Sequence, residues 1–471
     1  MLASSNRKEL TSFLMDTRKS ARIFESMSVP QAVRTMALPA VFSQIIILIY
    51  NMADTFYLGK VNNPYMVAGA SLILPVFNIC SSLAGLTGVG GGALISRLLG
   101  ENRHDEAEKV SSFCIGLSIL MTGGFSLLML AFMRPLLTLL GASANVFPYA
   151  RQYALCVLVL GGVPTVLSSV MANLLRSTGE SRQAGFGVAL GGVANILLDP
   201  LFMFVLLPDG YEVLGVGVAT LLANCISCAY FVAVLWRSRS RSVIRFSPRQ
   251  GMPLRASILS VFSVGVPSAI TVFLFDLDCV LIDKLMASYG DIPLAAVGIV
   301  LKAERLPLNT GIGICQGMMP IVAYNYASGN FKRMFETIRY SLKVGLITGV
   351  VSIVLYELFA TGIMNFFIGD AQTVLLGADF LRVRCLATPL MFASFFTVHV
   401  FQGFGQGKKA LFLGVMRWAV FNIPMLFLLN ALMGIYGVVW AQFFADILTV
   451  SLSYAVYRRF TRGLSAHPGK A

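Results

Sequence analysis

Twelve predominantly apolar stretches, each long enough to cross a bilayer as one helix, follow one another along this chain. They lie at roughly 32–57, 66–96, 110–133, 150–174, 183–207, 213–236, 257–285, 293–325, 338–367, 380–402, 409–431 and 434–457. Inside lipid a backbone N–H or C=O has no water to bond, so such stretches must satisfy their own backbone as helices. The expected fold is an all-α polytopic membrane protein with 12 transmembrane helices. Composition agrees: 56% of the 471 residues are hydrophobic and 12% charged, which excludes a soluble domain with a large core. The first 29 residues are polar and basic, so no cleavable signal peptide is expected ahead of the first span.

A net charge of +14 invites a nucleic-acid partner, but the cations are placed otherwise. Twenty-eight of the 36 lysines and arginines fall on one side of the twelve spans and six on the other, with Lys302 and Arg305 inside a span. The positive-inside rule then makes both termini cytoplasmic, and no nucleic acid is expected to bind. The eight cysteines lie in or beside spans, and Cys225-Ile-Ser-Cys228 is a CxxC in spelling only, without a second pair or βαβ context. His104, His399 and His467 are isolated, which argues against a His-built metal site.

The spans divide six and six. Leu38-Pro39-Ala40 recurs as Val266-Pro267-Ser268 at an offset of 228, Ala84-x-x-x-Gly88 as Gly313-x-x-x-Gly317 at 229, and Asn102 as Asn330 at 228. Pro164 pairs with Pro389, Leu175-Arg-Ser-Thr-Gly179 with Phe401-Gln-Gly-Phe-Gly405, and Gly217-Val-Ala219 with Gly437-Val-Val-Trp-Ala441. Matches in one order imply two six-helix bundles of like orientation, related by an internal repeat. The expected divisions are a cytoplasmic N-terminal segment 1–29, an N-lobe 30–236, a basic linker 237–256, a C-lobe 257–457 and a cytoplasmic tail 458–471. The linker, rich in Ser and Arg, is long enough to let the lobes move relative to each other. Ala84, Gly88, Gly92, Gly313 and Gly317 have the spacing of close helix approach. No GxxxxGK[ST] is present, and no ATPase subunit is expected.

Charges at membrane depth single out the candidate functional groups, because a carboxylate at the bilayer centre costs roughly 2.5–3.5 kcal/mol on insertion scales. In 183–207, Asn195 and Asp199 are i and i+4 on one helix face, and Pro200 leaves the Ile196 carbonyl without its helical partner. This oxygen-rich patch binds or moves an ion, or else locks the helix to a neighbour by hydrogen bonds. Asp54, in Tyr50-Asn51-Met52-Ala53-Asp54-Thr55, sits toward the outer end of the first span, at a matching depth. Two acids held together favour keeping a proton, while their charge, with Asn195 and a hydroxyl such as Thr220, also suits Na⁺; both stay open. In the second half Asp276 and Asp283 share a face of the seventh span and Asp278 points elsewhere. Lys302, Glu304 and Arg305 lie at similar depth, as an ion-pair network or as substrate or coupling groups. Asp446 and Glu357 are further candidates. Apart from H⁺ or Na⁺ as coupling ion, no cofactor is expected.

From about residue 30 to 457 the sequence resembles the multidrug and toxic compound extrusion (MATE) transporters. The likeness is carried by Leu38-Pro39 through Asp54-Thr55 and by Gly88 through Gly100. It continues in Leu175-Arg-Ser-Thr-Gly179, Asn195-Ile-Leu-Leu-Asp199-Pro200-Leu-Phe202 and Gly317 through Asn330. The resemblance implies a MATE/MOP-type, V-shaped pair of six-helix bundles in the bacterial cytoplasmic (inner) membrane. It implies a non-enzyme that exports amphipathic, often cationic drugs against inward H⁺ or Na⁺ by alternating access. Its partners would be those small molecules and membrane lipid. In such transporters the helix 1 acid, matched by Asp54, and the helix 5 pair, matched by Asn195 and Asp199, form the cation site. A helix 6 hydroxyl contributes, matched by Thr220, and Tyr153 fills an aromatic position beside them. The acids Asp276, Asp278 and Asp283 have no counterpart in the pattern, which leaves open a second coupling or substrate site in the C-lobe.

Two other activities have sequence requirements of their own. A lipid-linked saccharide flippase of the same superfamily would line its cavity with several Arg or Lys, where only Lys302 and Arg305 are expected within spans. A membrane-embedded metal-dependent transferase needs acids at DxxxD-like spacing near basic partners, and Asp276-x-Asp278 inside an apolar helix fits poorly.

Overall fold

The computed structural model describes residues 22–61, 63–208, 210–238, 242–247 and 251–466. Arg7, Lys8, Arg18, Lys19, Arg239, Arg241, Arg249, His467 and Lys470, all used in the sequence reading, lie outside these residues. Among the described residues twelve helical rods follow in the order that hydropathy predicts. The first three, α1 (Val29–Lys60), α2 (Pro64–Gly100) and α3 (His104–Ala131), are continuous. α4 is broken, Phe147–Leu160 meeting Gly162–Ser177 at 47°. α5 runs over Ser181–Leu201 and widens into a π-helical turn at Phe202–Leu206, just past Pro200, and α6 is Glu212–Ser238. The second half repeats the plan with α7 (Arg255–Ala287), α8 (Asp291–Ala327) and α9 (Phe331–Phe367). α10 joins Ala371–Cys385 to Thr388–Gly403 at 48°, α11 spans Gly407–Met433, and α12 spans Ile435–Ala466.

The two bends have one cause. Pro164 and Pro389 each lack an N–H and crowd the carbonyl four residues back, so the matched prolines place the same break in the fourth helix of each repeat. Nine rods and both bent pairs are long and apolar enough to cross a membrane. The twelfth, α8, carries Lys302, Glu304 and Arg305 in its middle. The chain is a multi-pass membrane protein.

The lobes meet where α2 packs along α7 and α1 along α8. Gly265 of α7 lies against the Leu86 carbonyl of α2 so closely that a Cβ there would overlap it, and Gly313 and Gly317 face the α1 backbone at Val41 and Ala37 in the same way. Gly88 and Gly92 instead admit Asn173 of α4. Ala93, Val264 and Met319 form a small core between the lobes. Gln44 Nε2 of α1 donates to Gln316 Oε1 of α8 at 3.2 Å. In α2 and α8 the halves nearest the basic loops, 87–100 and 307–325, are almost wholly buried, and burial thins toward the opposite end. The lobes are therefore joined through their basic-end halves.

The linker is fastened along its described part. Val243 and Ile244 are buried. The Arg245 N–H donates to Ser111 Oγ at 3.2 Å and the Ser247 N–H to Ser112 Oγ at 3.0 Å. Glu106 Oε1 accepts from the Leu254 N–H (2.8 Å) and from Ser257 Oγ (2.6 Å), tying the start of α7 to α3. The turn Arg22–Ser26 ahead of α1 docks on the other lobe. Arg333 Nε and Asn325 Nδ2 donate to the Phe24 carbonyl at 2.5 and 3.0 Å, and Tyr324 Oη to Glu25 Oε1 at 2.5 Å. Each lobe's lead-in segment is thus held by the opposite lobe, which extends the repeat to the contacts between the halves.

Candidate cation site in the N-lobe

Four helices bring the predicted N-lobe residues together. Asp199 and Asn195, 0% and 3% exposed, project from α5 onto α6, where Thr220 is 8% exposed. The Asn195 amide donates to Asp199 Oδ1 at 3.2 Å and to Thr220 Oγ1 at 3.4 Å. α1 reaches the same point because position 192 is glycine: a Cβ there would collide with Ile46 and press on the Tyr50 ring. Asp54, one turn beyond Tyr50, lies beside Asp199. From α4, the buried Tyr153 ring stands beside Asp54, Asp199 and Tyr50, and packs against Gly217.

Three acceptors in this cluster are left without a donor. Both amide hydrogens of Asn195 are engaged, yet Asn195 Oδ1, Asp199 Oδ2 and Asp54 Oδ1 are buried with no hydrogen-bond partner. No lysine or arginine among the described residues forms an ion pair with either acid. Buried acceptors are normally satisfied, and these three, gathered around two carboxyls, are not. Tyr50 is the neighbour the sequence reading left unassigned; its spacing of four residues from Asp54 was the available signal.

The C-lobe candidates separate into three environments. Asp278 is 3% exposed and accepts from Asn422 Nδ2 at 2.6 Å, with Arg384 and Arg417 nearby. Glu304 is held by Arg384, at 2.7 Å to Nε and 2.9 Å to Nη2, and Arg384 also bonds Gln442. Asp446 pairs with Arg417 at 3.0 Å and takes a further bond from Ser394 at 3.4 Å, while Arg417 stacks on Phe395 and Trp418. Asp276 stands apart at the α2–α7 seam, beside Asn78 and near Arg305, whose guanidinium lies over the Phe275 ring. Asp283 is exposed farther along α7, Lys302 is exposed, and Glu357 makes a surface pair with Arg382 at 3.9 Å.

One expectation needs correction. Lys302 and Arg305 are not the only cations within spans: Arg384 and Arg417, counted as flanking charges, lie inside α10 and α11, 4% and 3% exposed. Each sits opposite an acid on another helix, and hydropathy along one segment cannot register such pairing. Their removal from the flanking tally leaves the charge asymmetry in place. Among the described residues no three His, Cys, Asp or Glu side chains gather as a metal site, and all eight cysteines are free thiols.

A family model described as MatE matches residues 39–201 and 267–428, one segment in each lobe. The chain is similar to the multidrug export protein MepA of Staphylococcus haemolyticus (strain JCSC1435), 28% identical over 442 residues that cover 93% of this chain and 96% of that protein. It is 27% identical over 428 residues to MepA of Staphylococcus aureus (strain MSSA476), covering 90% and 92%. Among solved structures, a MATE protein in complex with MaL6 superposes with a TM-score of 0.90 at 22% identity over 95% of this chain and 99% of that one. An outward-facing conformation of a multidrug resistance MATE family transporter of the MOP superfamily gives 0.90 at 21% identity with the same coverage. Similarity at this level establishes the fold, two bundles of six helices.

Proposed function

Since this chain belongs to the MatE family, we propose that it is a secondary multidrug exporter, moving amphipathic or cationic compounds out of a bacterial cell against inward H⁺ or Na⁺. The observation that carries the proposal is the surplus of buried acceptors at Asp54, Asn195 and Asp199. In this reading Asp54, Asn195, Asp199 and Thr220 hold the coupling ion, and Tyr153 walls the site. The approach of Asp54 to Asp199 favours a shared proton; Na⁺ is the other ion the oxygen set admits. Both termini face the cytoplasm of the inner membrane, the side to which the basic loops assign them.

Coupling follows from the build of α1. The helix that carries Asp54 also carries Ala37, Val41 and Gln44 into the seam with α8, about 15–26 Å away at 1.5 Å per residue. With both acids ionised, repulsion drives Asp54 from Asp199 and shifts α1; a bound cation draws it back. A change at the ion site therefore acts on the contact that closes the basic end, the element alternating access requires. In the C-lobe Asp278 is the acid left over once Glu304 and Asp446 have their arginines, and it serves as a second ion- or substrate-binding carboxylate. Asp276 and Asp283, half-buried and exposed on α7, meet cationic substrates, whereas Glu304 and Asp446 fix helices in place.

The other activities have less support. Arg384 and Arg417 add cations at membrane depth, as a flippase would need, but each is committed to a carboxylate. The test is competition: ethidium binding to the purified protein weakens as H⁺ or Na⁺ rises in the wild type and becomes insensitive in Asp199→Asn, as linkage between two sites demands. Equal sensitivity in both proteins overturns the site.

A further inference from the structure

We propose that the shoulder of α9 between Arg339 and Val351 is a binding site for one anionic phospholipid of the leaflet on the basic side. A groove of about 470 Å³ runs down this face of the helix, lined by Leu342, Leu346, Ile347, Val350 and Val351 and headed by Arg339 and Lys343. Its floor is almost entirely apolar, and Ile347, Val350 and Val351 are each half exposed. The two cations are one turn apart at its upper end, and neither forms an ion pair among the described residues. Arg339 lies near Tyr457 of α12.

The dimensions fit a lipid in one leaflet. α9 has 37 residues and so extends about 56 Å, of which a ~30 Å hydrocarbon layer takes the middle. A helix centred on the bilayer then enters hydrocarbon near residue 339 and reaches the midplane near 350. The span from Arg339 to Val351, about 18 Å, matches a headgroup contact and one acyl chain. Long basic side chains at this level reach toward the interface, where a phosphate is their natural partner, and anionic lipid is concentrated on the cytoplasmic face.

The internal repeat supplies an independent argument. α3 begins at His104 and α9 at Phe331, an offset of 227 at which the groove residues Arg339 and Lys343 correspond to Ser112 and Gly116 of α3. That shoulder is covered by the linker: the Ser247 N–H donates to Ser112 Oγ, and the Phe246 ring rests on Gly116. Among the described residues the C-lobe shoulder stays open, with Ile347, Val350 and Val351 half exposed. The terminal segments outside the described residues carry a net positive charge, which Arg339 and Lys343 repel. An apolar tail with an anionic head is the occupant that meets both ends of the groove.

The experiment is native mass spectrometry of the full-length protein in detergent, titrated with dioleoylphosphatidylglycerol or dioleoylphosphatidylcholine. Wild type should retain one phosphatidylglycerol with an excess over phosphatidylcholine on the order of tenfold or more, given two cations at the headgroup. The excess should vanish in Arg339→Gln/Lys343→Gln and in Val350→Trp, which fills the groove with the cations intact, and persist in Arg103→Gln. Glycerol 3-phosphate should not displace the lipid. Equal retention of the two lipids, an excess surviving in either groove variant, or displacement by glycerol 3-phosphate would each overturn the proposal.

Discussion

Asp199 accepts from Asn195 Nδ2 at 3.2 Å through Oδ1, while its Oδ2 is buried with no partner. The same amide reaches Thr220, so Asn195 aims two helices at one carboxylate and leaves its own oxygen free. This division predicts graded effects. Thr220→Val and Asn195→Leu should each weaken the H⁺ or Na⁺ competition against ethidium by roughly tenfold, the scale of one hydrogen bond to a charged group. Asp199→Asn should remove the competition. Titration of ethidium fluorescence at several cation concentrations measures all three; a full effect from Thr220→Val and none from Asp199→Asn would reverse the assignment.

The Arg417–Asp446 pair is structural in this account. Both side chains are buried, so Arg417→Ala strands a carboxylate and should cost about 3–5 kcal/mol, whereas Arg417→Met with Asp446→Leu should be nearly neutral. Thermal unfolding in detergent distinguishes the two. A stable Arg417→Ala protein with lost transport would instead move Asp446 into the coupling machinery.

Gly265 permits the lobe contact at Leu86. Gly265→Val places a branched side chain against backbone that has no room for it, so the basic-end seam should open. Cysteine labelling of an Ala93→Cys reporter, buried in the core between the lobes, should rise severalfold from the basic side. Unchanged labelling in a folded protein would show that the seam tolerates bulk.

Glu106 anchors the first turn of α7 through two hydrogen bonds, each contributing about 1.5–3 kcal/mol when the acceptor is charged. Glu106→Ala should release residues 254–258, and hydrogen exchange there should accelerate while the rest of α3 stays protected. Uniform protection would mean that the strap is held elsewhere.

The parts of this molecule written in local pattern were legible in the sequence. Hydropathy placed all twelve helices, and Pro164 with Pro389 pointed to a shared feature that proved to be the bend. Asn195 and Asp199 were readable because one helix face holds both, and Asp54 joined them by depth. What distant partners decide was not legible. Arg384 meets Glu304 across 80 positions, so a count of charges along the chain assigned it to the flank. The linker reads as a loose Ser- and Arg-rich tether, since its hold on α3 depends on serine hydroxyls and Glu106 finding backbone N–H groups more than 130 positions away.

The central claim, that the N-lobe oxygens couple a cation to export, is tested most directly in sealed vesicles by ethidium efflux under an imposed pH gradient and, separately, an imposed Na⁺ gradient. Wild type should export under one of them, and Asp54→Asn and Asp199→Asn, though folded, should export under neither. Export by both variants at the wild-type rate would contradict the account.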